Sequence, residues 1–138
     1  QRRRLHDATL VARPTLGTRW CAVAERHPGT NIKYTGNWEP SSSHLSGLDY
    51  GGSHTLSSDA SATATLVFTG VAVYYLSPRW PYAVSSKLSI DGSPPQLVNL
   101  TDPTASSTPP GGSEDTFSAV VWSATNLQNM THTVIVSY

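Results

Sequence analysis

Hydrophobic positions along this chain alternate with polar ones and rarely recur at helical spacing. Ser61 to Thr69 is the clearest case. Ala62, Ala64, Leu66 and Phe68 fall on one side, and Thr63, Thr65, Val67 and Thr69 on the other. That period of two predicts a half-buried strand. Gly70 then permits a bulge or a close backbone approach, and Val71 to Leu76 runs on as a largely apolar stretch. Such a run predicts a central strand covered on both faces, or an aromatic lining presented by Tyr74 or Tyr75.

The same reading extends along the chain. Ile32 to Thr35 alternates and stops at Gly36. Lys87 to Ile90 and Gln96 to Leu100 flank Asp91-Gly92, a dipeptide suited to the positive φ values of a type I′ hairpin turn, with Pro94-Pro95 lengthening the loop. Phe117 to Ser123 and His132 to Tyr138 read as the last two strands, joined by Asn126 to Asn129. Before Asn31, Asp7 to Ala12 and Thr18 to Ala24 read as short strands separated by Pro14 and Gly17. Pro40 to Gly52, Ser77 to Tyr82 and Thr101 to Asp115 carry the Pro, Gly and Ser of loops. Roughly eight strands with frequent turn signals and no helical period predict an all-β fold, an antiparallel β-sandwich of the jelly-roll kind.

Composition narrows the setting. Charged residues make up 13% of the 138 residues, and Ser and Thr together supply 35 positions. This balance suits a β-rich extracellular domain, because Thr fits a half-buried pleated surface and Ser fits turns. No run of 18 apolar residues occurs, so membrane insertion is not expected. No hydrophobic signal segment opens the chain, and a mature or trimmed form beginning at Gln1 is expected. Residues 1–30 hold six Arg against Asp7 and Glu25, a net of +4, and residues 31–138 carry a net of −4. The division expected is an N-terminal basic arm over 1–30, adding one or two strands, and a sandwich domain over 31–138. The arm can contact its own acidic body or an anionic polymer. No basic stripe interleaves with aromatics, so nucleic acid is not an expected partner. Cys21 is the single cysteine and forms no internal disulfide; it is either buried beside Trp20 or available to pair between chains.

The segments I-K-Y-T-G-N-W, G-S-H-T-L-S-S-D, A-T-A-T-L-V-F-T-G-V-A-V-Y-Y-L, K-L-S-I-D-G and N-L-Q-N-M-T-H-T-V-I-V occur in that order between residues 32 and 136. Together they resemble the galactose-binding-like jelly-roll domain of basidiomycete fungal secreted proteins and membrane-protein ectodomains. The resemblance covers roughly residues 31–138 and implies two antiparallel sheets, a secreted or cell-surface location and no assigned catalysis. Sugar binding occurs in the wider superfold, and it enters here as fold-level analogy.

Candidate chemistry is sparse. Arg79, Trp80 and Tyr82, between prolines, form the strongest candidate ligand site, because sugar rings stack on aromatics while their hydroxyls need planar donors and acceptors. The same two aromatics can instead cap one end of the sandwich core. His44, Asp49 and Tyr50 lie on a second connection able to converge with that loop. Trp38 and Trp122 read as core, and His54 and His132 as hydrogen-bonding partners of nearby turns. Asn99-Leu100-Thr101 and Asn129-Met130-Thr131 are N-glycosylation sequons. No histidine spacing signals zinc and no carboxylate spacing signals a calcium loop, so no cofactor is expected; a structural calcium held by loop carbonyls leaves no sequence trace. No nucleophile elbow appears, and scattered carboxylates give no hydrolase pair. The expectation is a non-catalytic lectin-like domain binding a glycan or cell-wall polysaccharide. The alternative is a structural or adhesive surface domain that forms homo-oligomers.

Overall fold

The computed structural model describes residues 5–7, 9–13, 32–39, 45–48, 54–106 and 114–137. Their strands are β1 (Leu5–Asp7), β2 (Thr9–Arg13), β3 (Ile32–Thr35), β4 (Thr55–Ser57), β5 (Thr63–Gly70), β6 (Ala72–Ser77), β7 (Ser85–Ile90), β8 (Gln96–Asn99), β9 (Ala119–Ala124) and β10 (Met130–Ser137). Among the described residues there is no helix. A five-stranded sheet runs β3-β5-β10-β7-β8, a three-stranded sheet runs β2-β6-β9, and β1 pairs with β4. Every strand pairing is antiparallel. The two larger sheets face each other as a β-sandwich.

Side-chain alternation builds the core as the sequence pattern requires. Ala64, Leu66 and Phe68 of β5 point inward, as do Val134 and Val136 of β10 and Leu88 of β7. Val73 and Tyr75 of β6 meet them from the opposite sheet, and the Tyr75 hydroxyl lies 3.4 Å from Ser86 Oγ on β7. Trp122 packs against this cluster from β9, and its Nε1 donates to Gln96 Oε1 on β8 at 2.8 Å. Trp38 also packs against the core, donates Nε1 to Thr35 O and meets Tyr34 edge-on at 5.2 Å.

Several boundaries differ from the sequence pattern for identifiable reasons. Gly70 ends β5 without a bulge. The chain passes through Val71 into β6, on the other sheet, and the bulge falls instead between Tyr75 and Leu76 opposite β9. The apolar run therefore divides at a sheet-to-sheet corner. Residues 5–13 supply β1 and β2, which pair with β4 and β6, so the sheets draw on segments before residue 31. The expected strand over Thr18 to Ala24, Cys21 and its neighbour Trp20 lie outside the described residues. Asp91 and Gly92 have φ of 50° and 74°, and Ser93 N donates to Ile90 O at 2.9 Å. That is the type I′ turn the dipeptide predicts.

Candidate functional site

The connection after β6 is stitched to two other segments at one end of the sandwich. Trp80 forms a parallel bridge with Thr101: its N–H donates to Leu100 O at 3.0 Å, and Asp102 N donates to Trp80 O at 2.7 Å. Leu100 N donates to Val84 O at 2.8 Å. On the other flank, Asp115 N donates to Arg79 O at 3.0 Å, and Arg79 N donates to Thr116 Oγ1 at 3.1 Å. Prolines at 78 and 81 lack ladder donors, so the loop relies on Arg79 and Trp80 for these bonds.

This geometry settles the orientation of the two aromatics. Trp80 and Tyr82 both point into the core across the bend at Pro81, 3% and 4% exposed. Their rings cap the core and do not form the external stacking platform that a sugar face requires. His54, also buried, meets Trp80 edge-on at 5.7 Å. Arg79 points the other way and is half-buried. Its Nη1 donates to Asn99 O at 3.1 Å and to Thr101 O at 3.2 Å, which clamps the end of β8.

Around Arg79 the fold gathers carboxylates that are distant in sequence. Asp102 is 8% exposed, and its Oδ1 accepts from Thr104 N at 2.9 Å and from Thr104 Oγ1 at 2.8 Å. The Thr104 backbone N–H, then its hydroxyl, hold the Asp102 carboxyl below the ordinary carboxylate range, aided by Asp115 and the Arg79 charge. Asp115 is pushed the opposite way, first by desolvation and then by its hydrogen bond to Asp102. Of the two, Asp115 is therefore the later to ionise as pH rises. Glu114 is 8% exposed, and its Oε1 is buried without a hydrogen-bond partner. Two residues beyond Asp115, Phe117 is 74% exposed, and Ser118 N donates to Leu48 O at 2.8 Å. Among the described residues, the end offers the Arg79 guanidinium as a planar cationic donor, the exposed Asp115 carboxyl backed by buried Asp102, and the exposed Phe117 ring.

Of the other sequence candidates, His44, Asp49 and Tyr50 lie outside the described residues. Asn99 and Asn129 are both exposed, and Asn99 Oδ1 accepts from Thr101 N at 3.0 Å. Among the described residues no three His, Cys, Asp or Glu side chains converge to hold a metal ion. Asp102, Asp115 and Phe117 carried no sequence signal as a site, because the Trp80–Thr101 bridge brings their segments together. No helix of the described residues is long and apolar enough to cross a membrane. Compared with known proteins, the chain matches no family model, no curated sequence and no solved structure.

Proposed function

We propose that this chain is a non-catalytic, lectin-like carbohydrate-binding domain of a secreted or cell-surface protein, of the galactose-binding-like jelly-roll kind found in fungi. Its ligand meets the Arg79–Asp102–Asp115 end of the sandwich. The observation that carries the reading is the half-buried Arg79, whose guanidinium is held by two backbone carbonyls beside the carboxyl groups of Asp102 and Asp115. Neighbouring sugar hydroxyls each donate and accept, and such a set offers both in fixed directions. Phe117, 74% exposed, supplies the apolar contact that buried Trp80 and Tyr82 cannot. Asn99 and Asn129, both exposed, are the glycan attachment points in this reading.

A second reading, self-association, is favoured by the outer face of the five-stranded sheet. Val67, Ile135 and Leu97 are exposed there among Thr and Ser, and the only charges that strand alternation turns to that face are Lys33 and Lys87. A glycan array read together with sedimentation separates the two. Glycan signal that falls at least tenfold in Arg79→Ala and in Asp115→Asn supports the first. Absence of any glycan signal, with concentration-dependent assembly that Ile135→Lys abolishes, replaces it with the second.

A further inference from the structure

At the far end of β7 from Arg79, one histidine joins two turns. His132, the third residue of β10, is 5% exposed, and its ring lies 5.5 Å from the Phe68 ring on β5. Its Nδ1 is 2.6 Å from Asp91 Oδ2 in the β7–β8 turn. Its Nε2 is 2.7 Å from Gln128 O in the β9–β10 turn. A carboxylate and a carbonyl are both acceptors. Satisfying both requires a proton on each ring nitrogen, so the arrangement is built for imidazolium.

We propose that His132, Asp91 and the Gln128 carbonyl form a protonation-dependent clasp that locks the β9–β10 turn to the β7–β8 turn and releases the former when the imidazole becomes neutral. The asymmetry follows from what else each partner does. Asp91 is anchored twice more: its Oδ1 accepts from Thr133 N at 2.8 Å, and its own N–H donates to Thr133 O at 2.9 Å. A neutral ring therefore keeps its single proton on Nδ1, toward the carboxylate. Nε2 then presents a lone pair to the Gln128 oxygen at a hydrogen-bond distance, and the two repel. Among the described residues the carbonyl is held otherwise only by Met130 N, at 2.8 Å within the same turn. Leu127 N, bonded to Val71 O at 2.9 Å, remains as the hinge.

Asp91 is the charge that acts on the ring, β5 presents Phe68 to it, and the Gln128 carbonyl faces its other nitrogen. The carboxylate, then the carbonyl, raise the His132 pKa above the ordinary 6.5, against desolvation. The sign follows directly. With the folded value raised, the clasp is complete below the unfolded pKa and is lost as pH rises through the folded one. Asp91, lowered chiefly by His132, sets the acid limit, where its own protonation removes the carboxylate.

The test is a pH titration of the unmodified protein by NMR, with amide exchange measured alongside. His132 is expected to titrate above 6.5, and the Met130 amide to lose protection through that same midpoint relative to amides of β5. Asp91→Asn provides the second arm, because Asn also accepts the left-handed backbone at that position. It should lower the His132 midpoint and move the Met130 transition with it. A His132 that titrates at or below the ordinary value overturns the clasp. So does a Met130 amide whose protection follows that of β5 throughout, or a transition that Asp91→Asn leaves in place.

Discussion

Gly36 and Gly92 form a matched pair for measuring what close packing adds to backbone strain. Both have positive φ, 85° and 74°. An L-residue in that region costs about 1–2 kcal/mol, and replacing glycine recovers roughly 0.4–1 kcal/mol by restricting the unfolded chain. Gly92→Ala should therefore cost about 1 kcal/mol on these principles, since nothing lies within 4 Å of the added Cβ. At Gly36 the added carbon meets Ala62 Cα at 2.8 Å, Asp59 Oδ2 at 2.8 Å and Ala62 Cβ at 3.1 Å. The Asp59 oxygen can swing away, but Ala62 Cα is backbone, tied by Ala62 N to Asp59 O at 3.0 Å. Forced overpacking of this kind adds about 1–3 kcal/mol, so Gly36→Ala should cost about 2–4 kcal/mol in all.

Urea denaturation of both variants measures this difference, and the acid limb supplies a second readout. The Asp59 carboxyl is held below the ordinary carboxylate value, first by the Asn37 N–H at 3.0 Å and then by the Ser61 hydroxyl and N–H. Its stabilising contribution is present above the unfolded pKa and is lost as pH falls through the folded one. If Asp59 Oδ2 gives way in Gly36→Ala, the Asn37 bond breaks and acid sensitivity at this site shrinks. Equal costs for the two variants, within about 0.5 kcal/mol, would falsify the clash argument and leave backbone conformation as the whole effect.

Two further outcomes follow from the loop end. Trp80→Ala should lower unfolding stability by about 3–5 kcal/mol, read from the denaturation midpoint, because its ring fills the core; a loss under 1 kcal/mol would contradict that placement. Asp115→Asn should raise stability at neutral pH, with the gain vanishing in acid. A carboxyl whose folded pKa is raised holds back stability once it ionises, and a variant with an unchanged pH profile would show that neither desolvation nor Asp102 acts on it.

The fold was legible wherever alternation was strict. Ala62 to Thr69 shows its buried and exposed sides directly, and Asp91-Gly92 announces its turn. Gly70 was ambiguous because a bulge and a sheet-to-sheet corner make the same local demand on a chain, and only the partners of β6 distinguish them. At the candidate site, the prolines mark Arg79, Trp80 and Tyr82 as one loop. Their presence does not say which side chains face water. The bridge from Trp80 to Thr101 decides it, and no sequence pattern announces a contact between segments that far apart.

That decision changes the chemistry expected of a ligand. A site led by two stacked aromatics draws most of its affinity from apolar contact and tolerates exchange among sugars with similar faces. In the proposed reading, with Trp80 and Tyr82 turned inward, recognition would fall to Arg79, Asp102 and Asp115, beside the ring of Phe117, which is exposed. Directional hydrogen bonds penalise a misplaced hydroxyl by leaving a partner unpaired, so such a site discriminates among sugars more sharply than it binds any of them. It is also pH-sensitive where a stacking platform is not, because Asp115 donates while protonated and only accepts once ionised. Selectivity on a glycan array that shifts as pH rises through the Asp115 ionisation is therefore the signature expected of the polar end, and one that buried Trp80 cannot produce.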